Sequence, residues 1–468
     1  MVNFMLAANK QFIRISLMTI LLLVHSVCFA DQTAMRGNFL SFSDIHFDPF
    51  TTCAKEAVTC PIITKLEAAP TSEWKNILAA MDTAPAKYKQ DSNYPLLVSA
   101  LQSFQNIVAT RKPSFVLILG DYLAHHYKDK YLQYASDKSD AGYQAFVKKT
   151  MTFVTQEINA AFLATDVYMV AGNNDSDLGD NTFEPNGKFF QEMATLWSRA
   201  IKNPSAQKDM QDMFSHSGYY AVTLPDASHA RLIVLNSNLF SPFAKGNQIE
   251  AAAYEQLDWL QQQLELSATE HQNVLIAMHI PAGIDIYASV MHNPFTIIEH
   301  WRPAFTQRFE SLLQSYSANI VGVLASHEHT DWARVLANPL NHQKISMIGI
   351  PSISPFNKNN PAFKVFDYDL KTMALENYTK YFYLLDSTHA WQKEYEFNAI
   401  YQPECHDCRI ADGISLLADS ESLAMQYKKF YDSETQTDPI HTNYTPYYVC
   451  RLQAITATEY QSCLTIAK

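Results

Sequence analysis

The chain has 468 residues, of which 47% are hydrophobic and 18% charged, with 35 Lys and Arg against 47 Asp and Glu. That length buries a large core with room for a second small unit, and the composition excludes a disordered chain. A net charge of −12 argues against a nucleic-acid duplex or an anionic membrane as the main partner.

Residues 1–30 carry Lys10 and Arg14, the apolar run "ISLMTILLLVHSVCFA" and no acidic residue. This reads as a secretory signal ending near Ala30, since the run is short for a spanning helix. Its removal takes two of the 35 basic residues, leaving 33 against 47 acidic and a net charge of −14. It also takes Cys28, so that Cys53, Cys60, Cys405, Cys408, Cys450 and Cys463 remain. An even number fits three disulfides in a secreted, periplasmic or lumenal setting. Clustering favours Cys53 with Cys60, Cys405 with Cys408, and Cys450 with Cys463. A zinc knuckle is the rival reading of "CHDC".

The first predicted strand is "FLSFSDIH", whose Phe39, Leu40, Phe42 and Ile45 read as core. Strand alternation puts Asp44 and His46 on one side. Next, "PLLVSALQSFQNIV" repeats Leu97, Leu101, Phe104 and Val108 at helical spacing, and "FVLIL" follows as a strand. A helix over about 142–163 leads to the strand "DVYMVAG". Then "GYYAVTL" and "ARLIVLNS" read as a hairpin-type pair. A helix over about 251–266 leads to "NVLIAMH", and "RPAFTQRFESLLQSY" leads to "NIVGVLASH". Strands alternating with helices predict an α/β sandwich. From about Lys371 the pattern turns aromatic and charged, which predicts a C-terminal subdomain stapled by cysteines. The expected division is thus a signal over 1–30, a catalytic domain over 31–370 and a subdomain over 371–468.

Each apolar strand ends in a polar cluster: Asp44 and His46, Asp121 and His125, Asn173 and Asn174, His279, and His327 and His329. Ligands of open α/β sheets bind beyond the carboxyl ends of strands, so residues from five segments can meet there. Of these, the two carboxylates Asp44 and Asp121, the amide Asn173 and the four imidazoles His46, His279, His327 and His329 suit zinc, manganese or iron(II) and not calcium. Seven donors overfill one tetrahedral site but serve two divalent ions that share a carboxylate. Glu328, between two histidines, points away from both if the segment is extended, as a solvated or supporting group. Asp175 reads as a turn former or as an orienting group for its neighbours.

The ordered series Asp-x-His, Gly-Asp, Gly-Asn-x-Asp, His, His-x-His resembles the calcineurin-type metallophosphoesterase signature over roughly residues 40–335. "DIHFDPF" followed by paired cysteines, "GDYLAHH", "NPAFKVFDYDL" and the terminal cysteine-bearing segment resemble its acid sphingomyelinase-like branch. The few residues between Ala30 and Leu40 leave no room for a saposin-like domain, so the smaller members without one are the expected match. The resemblance implies a four-layer α/β/β/α sandwich with a mainly helical C-terminal subdomain. It also implies one metal on Asp44, His46, Asp121 and His329, and another on Asp121, Asn173, His279 and His327. A water ionised between two such metals attacks phosphorus in line, and zinc is the first expectation.

Two positions depart from the family pattern. Ser326 stands where glycine usually precedes the first histidine of the last motif, and Asn174 replaces a histidine that acts on the leaving group. Asparagine donates hydrogen bonds to phosphate but no proton, which leaves His125 as the best candidate for the general acid, with His126 its rival, read rather as a surface loop residue. Weakened acid help favours phosphoanhydrides such as nucleotides, CDP-alcohols or polyphosphate over the alkoxide of a ceramide. The endopolyphosphatase-like relatives also carry "GNND". The alternatives are a sphingomyelin or phospholipid phosphodiesterase touching a membrane surface, and a non-catalytic phosphate binder. The expected partner is a small phosphorylated molecule, met by a monomer.

Overall fold

The computed structural model describes residues 36–466 except 82–83, 226–228, 293–294, 405–407 and 436–444. The signal reading over 1–30 therefore lies outside the described residues. Strand β1 (Arg36–Phe42) pairs in parallel with β2 (Phe115–Ile118), and β2 with β3 (Asp166–Met169). Phe115, Val116, Leu117 and Ile118 are all fully buried, as a parallel strand covered on both faces requires.

Capping chemistry starts the intervening helices. Asn93 accepts from Leu96 N at 3.2 Å and, with Pro95 in the first turn, opens the helix Tyr94–Arg111. That helix buries Leu97, Leu101 and Phe104, and Lys112 ends it in the left-handed region (φ 49°) before Pro113. Ser139 caps Asp140–Ala161 through Gly142 N at 3.0 Å.

The second sheet contains β4 (Tyr220–Thr223), β5 (Ala230–Val234), β6 (Asn273–Ala277), β7 (Ile320–Ala325), β8 (Ala333–Ala337) and β9 (Lys344–Gly349), in the order β4-β5-β6-β7-β9-β8. β4 and β5 form the antiparallel pair that the sequence suggests, and β5, β6, β7 and β9 run parallel. The helices Ile249–Thr269 and Pro303–Ser315 occupy the crossovers. The first sheet is completed by β10 (Ala362–Asp369), β11 (Leu375–Tyr383) and β12 (Trp391–Glu396), in the order β12-β11-β10-β1-β2-β3. The two sheets meet directly. The Tyr220 hydroxyl bonds Met169 N and O at 3.1 Å each, and Lys364 Nζ donates to Gly349 O at 2.8 Å. Helices flank both sheets, which is the α/β/β/α layering.

The boundary expected at 370 falls in the β10–β11 hairpin, and the described residues from Gly37 onward form one unit. Two antiparallel strands of aromatic and charged residues extend the first sheet before the helical tail begins at Phe397–Tyr401. Their mixed pattern hides strand character because Lys380 and Glu394 are buried as an ion pair. The Cys53–Cys60 and Cys450–Cys463 disulfides are present. Cys408 is also disulfide-bonded, and Cys405 lies outside the described residues.

Candidate metal centre

The polar clusters converge where the parallel strands end. Asp44, His46 and Asp121 bring donor atoms within 4.8 Å of one another, as do Asp121, His279 and His327. Asp121 thus belongs to both groups. His46 Nε2 lies 3.5 Å from Asp121 Oδ2 and 3.1 Å from His329 Nε2, while His329 Nε2 lies 3.4 Å from Asp44 Oδ1. On the other side, His279 Nε2 is 3.2 Å from Asp121 Oδ2 and 3.0 Å from Asn173 Oδ1.

Backbone strain produces this convergence. Asp44, His46, Asp121, His327 and His329 all have positive φ, between 44° and 73°. Such angles are uncommon outside glycine and gather at functional sites. β1 ends at Phe42, so Asp44 and His46 reach the same side through left-handed turns and not by strand alternation. Ser326 is free of that demand, since its φ is not positive. Its hydroxyl donates to Leu119 O at 2.9 Å and lies 3.0 Å from His279 Nδ1.

Carbonyl oxygens set the tautomers. His46 Nδ1 faces Leu123 O at 2.9 Å and His279 Nδ1 faces Leu119 O at 2.7 Å. A carbonyl only accepts, so each Nδ1 carries the hydrogen and each Nε2 turns to the centre. Burial, the largest single influence, opposes charge on both imidazoles, yet Asp121 and Asp44 together with their other partners outweigh it and push them up to about 9. His327 moves down to about 3 through burial and the nearby His279. Neither oxygen of Asp44 accepts a hydrogen bond among the described residues, although both are buried. A carboxylate left in that condition calls for a cation, and the oxygen and imidazole donors around it fit divalent first-row metals.

The sequence matches the model of the calcineurin-like phosphoesterase family over residues 37–331. The chain belongs to the calcineurin-like phosphoesterase family. It is 24% identical to mouse acid sphingomyelinase-like phosphodiesterase 3b, covering 92% of this chain and 90% of that one. It is 23% identical to bovine cyclic GMP-AMP phosphodiesterase SMPDL3A over 91% of this chain and 90% of that one. Dictyostelium discoideum sphingomyelinase phosphodiesterase D is 25% identical, over 96% and 99%. This phosphoesterase is a phosphoric ester hydrolase of a family that uses divalent metals.

Several residues around the centre have roles that local pattern does not reveal. The Asn174 side chain donates to Asp121 Oδ2 at 2.7 Å and its backbone N to Asp121 Oδ1 at 2.9 Å. Its amide is thus engaged with a carboxylate, where the sequence suggested a phosphate contact. Asp175 is fully buried and accepts from Asp121 N, Tyr122 N, Leu123 N and Gly172 N at 2.8 to 3.1 Å. His125 stacks on His46 at 3.9 Å and on Phe356 at 4.1 Å. Its Nδ1 bonds Asp91 Oδ1 at 2.7 Å, and Lys130 pairs with Asp91 at 2.9 Å. Asp91 and Lys130 sit in unremarkable sequence, and only the fold brings them here. Glu328 is not solvated: it ion-pairs with Arg451 and accepts from His300 Nε2 at 3.1 Å.

A cavity of about 230 Å³ adjoins His327. Carboxylates (Asp285, Glu328, Asp432) and tyrosines (Tyr287, Tyr431, Tyr448) line it, and among the described residues no lysine or arginine does. No described helix is long and apolar enough to cross a membrane.

Proposed function

We propose that this phosphoesterase is a dinuclear-metal phosphodiesterase that prefers phosphoanhydride bonds carrying an organic group, as in nucleotides and CDP-alcohols. Asp44, His46, Asp121 and His329 would hold one divalent ion, and Asp121, Asn173, His279 and His327 the other, with Asp121 shared. Zinc is the first candidate, with manganese or iron(II) as alternatives. Two such ions supply Lewis acidity and a water of lowered pKa. The observation that carries the reading is the membership of Asp121 in both donor groups.

His125 is the proton donor in this reading. Asp91 fixes its Nδ1, which leaves Nε2 to meet the leaving oxygen. Asn174 steadies Asp121 and gives no proton. A released phosphate needs less protonation than a ceramide alkoxide, so the missing second acid costs anhydride substrates least. Asp285 and Asp432, the cavity carboxylates not paired with Arg451, disfavour a run of phosphates, which favours nucleotides and CDP-alcohols over polyphosphate.

The second reading is a sphingomyelin or phospholipid phosphodiesterase acting at a membrane surface. It is supported by Tyr287 and Met291, 66% and 65% exposed on the helix Ile286–Met291 that borders the same cavity. Secretion after cleavage near Ala30 and action as a monomer complete the proposal. Rates on ATP, CDP-choline, polyphosphate and dispersed sphingomyelin, measured side by side with each metal, test it. CDP-choline and ATP are expected to lead. Rapid sphingomyelin cleavage with no anhydride cleavage would establish the second reading instead.

A further inference from the structure

We infer that Arg451, on the disulfide-closed C-terminal segment, is a positioning residue that holds the metal-facing loop 326–331 through Glu328. This rests on the metal reading of that loop.

His327 and His329 carry φ of 73° and 64°, so the loop is strained on both sides of Glu328 and needs to be held from outside. Few backbone bonds do so: Ser326 N to His279 O at 2.9 Å, Asp331 N to Tyr431 O at 2.8 Å and Ser352 N to His329 O at 3.4 Å. The side chain of Glu328 supplies the middle anchor. It ion-pairs with Arg451 Nη2 and accepts from His300 Nε2 at 3.1 Å.

Arg451 is itself immobilised. It is 2% exposed, lies 5.1 Å from the Trp332 ring and donates from Nη1 to the Tyr431 hydroxyl at 3.3 Å. Its carbonyl accepts from Arg334 Nε at 3.1 Å, and Leu452 O accepts from Val335 N at 2.8 Å, which seats the segment on β8. Cys450, the preceding residue, is bonded to Cys463. The guanidinium fork reaches Glu328 and Tyr431 from a fixed plane, a geometry that a lysine ammonium does not reproduce. Glu328 in turn cannot leave without stranding the buried Arg451 guanidinium. The loop bearing two of the seven metal-facing groups is therefore braced by a residue more than a hundred positions away.

The test uses full-length metal-free protein with Arg451→Met, Arg451→Lys, Glu328→Gln and the double variant Glu328→Gln with Arg451→Met. Cobalt(II) affinity is read from visible absorption, and hydrogen exchange of 326–331 is read without metal. Arg451→Met is expected to weaken cobalt affinity by about ten- to a hundred-fold, the usual effect of groups that support metal ligands, and to speed exchange of the loop. Arg451→Lys should recover part of both, and the double variant should be no worse than Arg451→Met. If Arg451→Met does not fold, Glu328→Gln must by itself show the loss. Unchanged affinity and exchange in a folded variant, or losses that multiply in the double variant, would overturn the inference. A wild-type protein that binds no divalent ion would instead sink the metal reading, and this inference with it.

Discussion

His125 shows how one side chain's surroundings decide its chemistry. Burial and the adjacent His46 hold its pKa below the ordinary imidazole value, with Asp91 pulling the other way. An acid with a lowered pKa is protonated only on the acidic side of that value. Turnover of a substrate with an alkoxide leaving group should therefore fall as pH rises through the region below neutrality. The profile for bis-p-nitrophenyl phosphate, whose leaving group needs no proton, should lack that limb. The same contrast should appear in His125→Ala: a loss of about a hundred-fold or more on alkoxide-type esters, the usual share of general acid catalysis, and little on the chromogenic diester. Equal losses on both would remove His125 from proton transfer. Asp175, with four backbone donors on its carboxylate, is the counterpart on the Asp121 side. Asp175→Asn should lower metal affinity by about ten- to a hundred-fold, as titration of the metal-free protein would report.

At the scale of elements, the ends of β2 and β3 are pressed together. A Cβ on Gly172 would stand 2.0 Å from Asp121 Oδ1 and 2.2 Å from Asp121 N. Gly172 is thus required by close approach and not by its backbone angle. Gly172→Ala should displace Asp121, cost roughly 1–3 kcal/mol as an overpacking change, and reduce bound metal in the same preparation. A urea titration beside metal analysis checks both. The strand–helix alternation that sets up this junction was plain in the sequence, because fully buried parallel strands are continuous apolar runs. β11 and β12 were not plain, since Lys380 and Glu394 are buried as a pair between the two strands, which no local pattern shows.

Across the whole molecule, one buried ion network ties the first sheet to the loop after the last histidines. Asp331, two residues beyond His329, pairs with Lys364 Nζ at 2.6 Å and Lys380 Nζ at 3.1 Å, and accepts from the Tyr395 hydroxyl at 2.6 Å. Lys380 also pairs with Glu394 at 2.9 Å and donates to Phe430 O at 2.7 Å, so β10, β11, β12 and the helix Glu421–Phe430 share one set of charges. Removing a single partner strands the others in a low-dielectric interior. Asp331→Ala should cost about 3–5 kcal/mol, visible as a lower denaturant midpoint.

What the amino-acid order determined alone was the donor inventory and its placement after strands. Asp44, His46, Asp121, Asn173, His279, His327 and His329 follow apolar runs whose burial is a local property, and the nearby cysteines of two pairs needed only short loops to close. Tertiary structure decided how those donors are used. The left-handed angles, the tautomers with hydrogen on Nδ1, the engagement of Asn174 with Asp121 and the Arg451 brace all depend on groups from distant segments. Pattern reports which face a residue prefers; the partner that fixes its orientation and charge comes from elsewhere in the chain.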